Sequence, residues 1–158
     1  MSGDDSPGIK VLPPLIFIGA FGLGGLADRF HPWPVAASWS NQELFFWAGA
    51  LVCGLGVGLD LWSLGLFARS RTSAIPFRPA SAFVARGPYR FTRNPMYLGM
   101  TLNLAGVGLL LGRTWIALSA LLAAAIIDRY AIPREERYLE RRFGTEYLDY
   151  KRRVRRWL

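Results

Sequence analysis

Four apolar stretches take up nearly half of this 158-residue chain and restrict its fold more than any other feature. They are Val11 to Ala27 (VLPPLIFIGAFGLGGLA), Leu44 to Phe67 (LFFWAGALVCGLGVGLDLWSLGLF), Met96 to Gly112 and Trp115 to Ile132. Crossing a hydrocarbon core takes about 17 to 25 helical residues. In lipid every backbone N–H and C=O must find its partner inside the segment, so the expectation is four transmembrane helices in an all-α, polytopic membrane bundle forming a single domain over 1–158. A cleaved signal peptide fits the first stretch poorly: Asp4 and Asp5 with only Lys10 make a weak basic leader, and Pro13 and Pro14 interrupt the apolar run.

The charge is segregated in the pattern such a bundle requires. The composition is 52% hydrophobic, yet the formal net charge is +8. A soluble nucleic-acid binder of that basicity would be far less apolar, so no nucleic-acid partner is expected. Of the 19 Lys and Arg, six lie in residues 69–93 with no acid among them, and nine lie in residues 134–156. Basic residues in short loops mark the cytoplasmic side. The expected topology therefore puts the loop between the second and third spans, the C-terminal tail and both termini in the cytoplasm, most simply at an inner or plasma membrane. Residues 28–43 and the short Gly112-Arg113-Thr114 turn face the other side. The tail, alternating Arg and Glu, reads as an amphipathic helix on an anionic membrane surface, with lipid headgroups as partners.

Within the spans, Gly49, Gly54, Gly56, Gly58 and Gly65, with Gly99, Gly106 and Gly108, are expected to let helix backbones approach closely. The run GLGVG has no preceding strand and lies inside a span, so it is not a dinucleotide turn. Cys53 is single, and His31 stands alone in an external loop; no metal site is expected. Asp60 is an intramembrane acid that either binds a basic group of the following loop or reaches the interface near Arg69. Asp128 is expected to form a charge pair at the rim with Arg129.

The two most charged segments, FVARGPYRFTRNPMYLG and RYAIPREERYLERRFGTEYLDYKRRVRRWL, meet at one face in this topology. Asn94 suits a helix N-cap and Pro95 the first turn, so free N–H groups would point at a ligand there. Arginines beside Tyr89 and Tyr97, opposed by Glu135 and Glu136, suit a zwitterionic ligand. The same residues also make an ordinary topology signal and helix start, and these residues alone do not specify a reaction.

GPYRFTRNPMYLG, followed after a helical hairpin by EERYLERRFGTEYLDYKRRV, resembles the C-terminal half of the isoprenylcysteine carboxyl methyltransferase family and, more loosely, the membrane phospholipid N-methyltransferases. The match covers residues 81–158. The resemblance implies methyl transfer from S-adenosylmethionine at the cytoplasmic membrane face. It places cofactor contacts on Ser81, Ala82, Phe83, Val84, Tyr89, Asn94, Pro95, Met96, Tyr97 and Glu135. Where that family usually has His before Pro, this chain has Asn94, which cannot act as a general base. The family's substrate-contacting arginine aligns with Ala131, leaving Arg129 or Arg134 to take its place. Transfer to a carboxylate needs no base; for an amine or thiol acceptor, Glu136 is the nearest proton acceptor. The acceptor would be lipophilic and enter laterally from the bilayer: a prenylated protein, a phospholipid amine or a small thiol. Two other readings stand beside this one, a membrane NADPH-dependent sterol-type reductase and a non-catalytic lipid- or partner-binding module. The oligomeric state is left open.

Overall fold

The computed structural model describes residues 8–33, 42–71 and 82–158. Among them there are helices and connecting turns and no strand. The elements are α1 (Pro13–Phe30), α2 (Gln42–Arg69), a short 3-10 turn (Gly87–Arg90), α3 (Pro95–Leu110), α4 (Thr114–Tyr130), α5 (Ile132–Phe143) and α6 (Thr145–Arg153). The first four α-helices fall on the four apolar stretches. Pro13 and Pro14 open α1 rather than break it, and Pro95 opens α3. At these first-turn positions the missing N–H costs no helical hydrogen bond.

Among the described residues, two helical stretches are long and apolar enough to cross a membrane: α2, and the continuous run Thr114–Phe143 whose apolar part is α4. At about 1.5 Å per residue, α2 is longer than a hydrocarbon core of about 30 Å. The apolar helix α3 is shorter.

Helix α3 packs against α2 on one side and α4 on the other, and α1 lies along α4. Both outer pairs are antiparallel. The Lys10 and Val11 amides at the start of α1 donate to the Tyr130 hydroxyl at the end of α4, at 3.1 and 3.2 Å. At the opposite end the Trp115 indole donates to the His31 carbonyl at 2.8 Å. Gly112, with φ of 63°, makes the tight reversal between α3 and α4 in a backbone region that glycine adopts without penalty.

The interior mixes small and polar residues with large apolar ones such as Phe17, Leu104, Ile116 and Ile127, while much of the outside is large and apolar. Ser63, Ala120, Ala123 and Gly56 are buried, while Ile18, Trp47, Leu51, Leu61 and Leu121 are each more than 60% exposed. An apolar surface of this extent fits hydrocarbon and not water. The α2–α3 crossing shows why small residues are needed inside. A Cβ on Gly106 would stand 2.8 Å from the Cys53 amide nitrogen and 2.9 Å from the Gly49 carbonyl, and one on Gly49 would stand 2.7 Å from the Leu110 nitrogen. Gly56 and Gly99 are equally closed, and Gly108 abuts Ala117 of α4. Gly54, Gly58 and Gly65 meet nothing within 4 Å. The expectation that all eight serve close packing is therefore corrected: helical periodicity puts these three on the outer face.

The charged tail forms two helices, not one. Gly144, with φ of 53°, ends α5 and starts α6.

Candidate functional site

The charged end of the bundle gathers most of the residues that the sequence singles out. Asn94 occupies the N-cap position of α3, but its side chain makes no cap bond. That corrects the capping expectation: its Nδ2 donates instead to the Arg156 carbonyl at 2.9 Å, and Thr92 Oγ1 accepts from the Asn94 amide at 3.2 Å. One turn into α3, the Tyr97 hydroxyl donates to Glu135 Oε1 at 2.5 Å. Pro95 and Tyr97 are buried, and Met96 is half-buried between them.

The adjacent carboxylates of α5 sit in opposite environments. Glu136 is 5% exposed. It accepts from Arg93 Nη2 at 2.8 Å and from Arg156 Nη2 at 2.9 Å, and Lys151 Nζ lies 3.4 Å away. Burial alone would raise its pKa, but the bonds from Arg156 and Arg93 hold it below the ordinary carboxylate range. Glu135 has no cation bonded to it among the described residues. The residue is half-buried. Burial pushes its pKa up to about 7, the Tyr97 bond pulls it down, and the Glu136 charge adds to the rise. Tyr89 is buried as well; burial first, then Tyr150 and Glu135, raise its phenol above the usual range.

The 82–84 segment rests on the tail helices. Phe83 packs against Tyr150, Phe143 and Tyr147 at ring-centroid distances of 5.1, 5.5 and 5.7 Å, and the Tyr150 hydroxyl donates to the Tyr89 carbonyl at 2.8 Å. Val84 is buried and Ala82 half-buried. Ser81 lies outside the described residues. Arg134 stacks over the Tyr130 ring at 4.2 Å and donates to the Tyr130 carbonyl at 2.5 Å, and Arg129 is exposed. Ala131 is fully buried at the α4–α5 junction.

Three features escaped the sequence reading. Arg78 of the loop after α2 lies outside the described residues. Among the described residues Asp60 pairs with no cation: the Asn103 amide donates to its Oδ2 at 2.9 Å across the α2–α3 crossing, and its Oδ1 is buried with no partner there. Both residues are polar groups in apolar helices, which was the available signal, but their 43-residue separation hid the pairing. Asp128 does take part in a charge pair, but with Arg156 at 3.3 Å and not Arg129; it also accepts from the Trp157 indole at 2.9 Å. Residues after α6 return to the start of α3, where the Arg93 amide donates to the Arg155 carbonyl at 2.9 Å.

A family model described as phospholipid methyltransferase matches residues 44–146, from α2 into the start of α6. The chain belongs to that family. Members of the family are methyltransferases, and the matched region includes Tyr97, Glu135 and Glu136. Protein-S-isoprenylcysteine O-methyltransferase B of Arabidopsis thaliana is 34% identical over 74 residues, 45% of this chain and 36% of that protein, so the aligned part spans about a third of the relative. An uncharacterized protein of Haemophilus influenzae is 44% identical over 63 residues, 40% of this chain and all of that protein. No solved structure matches.

Proposed function

We propose that this protein transfers a methyl group from S-adenosylmethionine to a lipophilic acceptor at the cytoplasmic face of a membrane. The bundle in this reading makes four crossings, with both termini and the charged end in the cytoplasm and with α5 and α6 lying amphipathically at the headgroups. The observation that carries the proposal is the Tyr97–Glu135 pair at the start of α3, within a family of methyltransferases.

The donor set fits the cofactor. A methionine moiety is a zwitterion beside a sulfonium, and it calls for a carboxylate, aromatic faces and N–H donors in one place. Glu135, Tyr97, Tyr89 and the opening turn of α3 supply these. When bound, S-adenosylmethionine provides an electrophilic methyl group for in-line attack. The protein's own part is positioning and exclusion of water. Tyr97 orients the Glu135 carboxylate, and the packed Phe83 and Val84 close the site from the tail side. Glu136, engaged by its cations, is a poor base. For an amine or thiol acceptor the proton-accepting role passes to Glu135, whose raised pKa suits it. Arg129 and Arg134 would meet an acceptor's headgroup arriving from the lipid, and the exposed Arg152, Arg153 and Arg155 would hold anionic headgroups.

The test supplies methyl-labelled S-adenosylmethionine to membranes carrying the protein and follows the label into lipid-extractable and protein fractions. Label entering either fraction with wild type, and lost with Glu135→Ala while the protein remains inserted, is the expected result. Absence of transfer to every fraction from a well-inserted wild type contradicts it.

A further inference from the structure

The residues after α6 leave the helix in an extended conformation at Val154 and cross the charged end of the bundle. Their backbone is held by the loop before α3. Arg93 Nη1 donates to the Val154 carbonyl at 2.7 Å, the Arg93 amide to the Arg155 carbonyl at 2.9 Å, and both Thr92 Oγ1 and Asn94 Nδ2 to the Arg156 carbonyl at 3.1 and 2.9 Å. Their side chains continue to the other helices: Arg156 to Glu136 on α5 and to Asp128 on α4, and Trp157 to Asp128. This arm adds to the direct Arg93–Glu136 bond in tying the start of α3 to α5, two helices that have no extensive packing contact with each other. Yet the Tyr97–Glu135 pair needs one residue from each.

We infer that Asn94 is a positioning residue whose side-chain amide latches the 154–157 arm onto the start of α3, and that the latched arm holds α5 so that Glu135 meets Tyr97. The Asn94 amide is spent on the arm and not on the helix cap. A carbonyl accepting two side-chain donors, one from a residue only 2% exposed, is a fixed anchor point and not a surface contact. The link from Asn94 to Glu135 runs through Arg156 and Glu136, the neighbour of Glu135 in the chain. This inference rests on the reading that the site takes S-adenosylmethionine.

The test uses the full chain in detergent and two readouts, the rate of tryptic cleavage within the arm without ligand and the Kd for S-adenosylhomocysteine. Asn94→Asp keeps the shape but sets a carboxylate against the Arg156 carbonyl. It is expected to speed cleavage and weaken binding, each by about tenfold, with helix content unchanged. Asn94→His, which restores an N–H, recovers most of both. Thr92→Val removes the second donor without adding charge and is expected to shift both readouts in the same direction by less, so the test survives a poorly folded Asn94→Asp. An arm as protected in Asn94→Asp and Thr92→Val as in wild type overturns the latch. A loosened arm with unchanged affinity overturns the positioning role. If wild type itself does not bind S-adenosylhomocysteine, the functional reading falls and takes the positioning role with it, while the cleavage rates still decide the latch.

Discussion

The α2–α3 crossing and the charged end of the bundle are fastened by opposite means. At the crossing, side chains are missing: Gly49, Gly56, Gly99 and Gly106 bring two backbones together, and Asn103 of α3 meets Asp60 and the Cys53 thiol of α2 across the seam. At the charged end, long side chains do the joining, and Glu136 is reached from the α3 loop, from α6 and from the arm beyond it. Dispersion between close surfaces works in lipid, where no hydrophobic effect drives helices together. Charged networks work only where water or partners offset the cost of desolvation. The change from one to the other along α3 occurs within two turns, and the Tyr97–Glu135 pair sits at that boundary.

The largest expected effect breaks the charged end. Glu136→Ala leaves the largely buried Arg93 without a carboxylate and Arg156 with Asp128 alone, and should cost about 3–5 kcal/mol in detergent unfolding. A loss below ~1 kcal/mol would mean that the network is a bystander. Next, Gly106→Ala forces a methyl group against the Cys53 and Gly49 backbone and should cost about 1–3 kcal/mol. Its counterpart on the outer face, Gly54→Ala, meets nothing and should raise stability by about 0.5–1 kcal/mol through backbone entropy. Equal effects at the two positions would refute the packing distinction.

The last prediction concerns sign. Glu135, with its pKa raised from 4.5 to about 7, contributes stability that is present below its ordinary pKa and lost as pH rises through about 7. Glu136, with its pKa lowered, contributes stability that is present above its ordinary value and lost as pH falls through its depressed value. Glu135→Gln should therefore flatten the loss of thermal stability on going to neutral pH, and Glu136→Gln the loss on going to acid. Profiles that change in the same direction would contradict the opposed environments.

Much of this was legible in the sequence because it is local. Proline at a first turn, a glycine reversal between apolar runs and the paired motif blocks all act within a few residues, and they gave the helices, the hairpin and the family. The contacts that were missed are long-range. Asn94 looks like a cap because caps are decided locally, but the Arg156 carbonyl, 62 residues away, takes its donor. Asp60 had two plausible cationic partners nearby in the chain, and its actual partner is a neutral amide on another helix. The glycines could be counted, but which ones face a neighbour depends on how α2 is rotated in the bundle.

Calorimetric binding of S-adenosylhomocysteine to the detergent-purified protein, with Glu135→Ala and Tyr97→Ala alongside, tests the central claim most directly. Saturable binding to wild type that either substitution abolishes without unfolding the protein is the predicted result. A well-folded wild type that binds no S-adenosylhomocysteine, or binds it equally well without Glu135 and Tyr97, would contradict the assignment of this end of the bundle as the cofactor site.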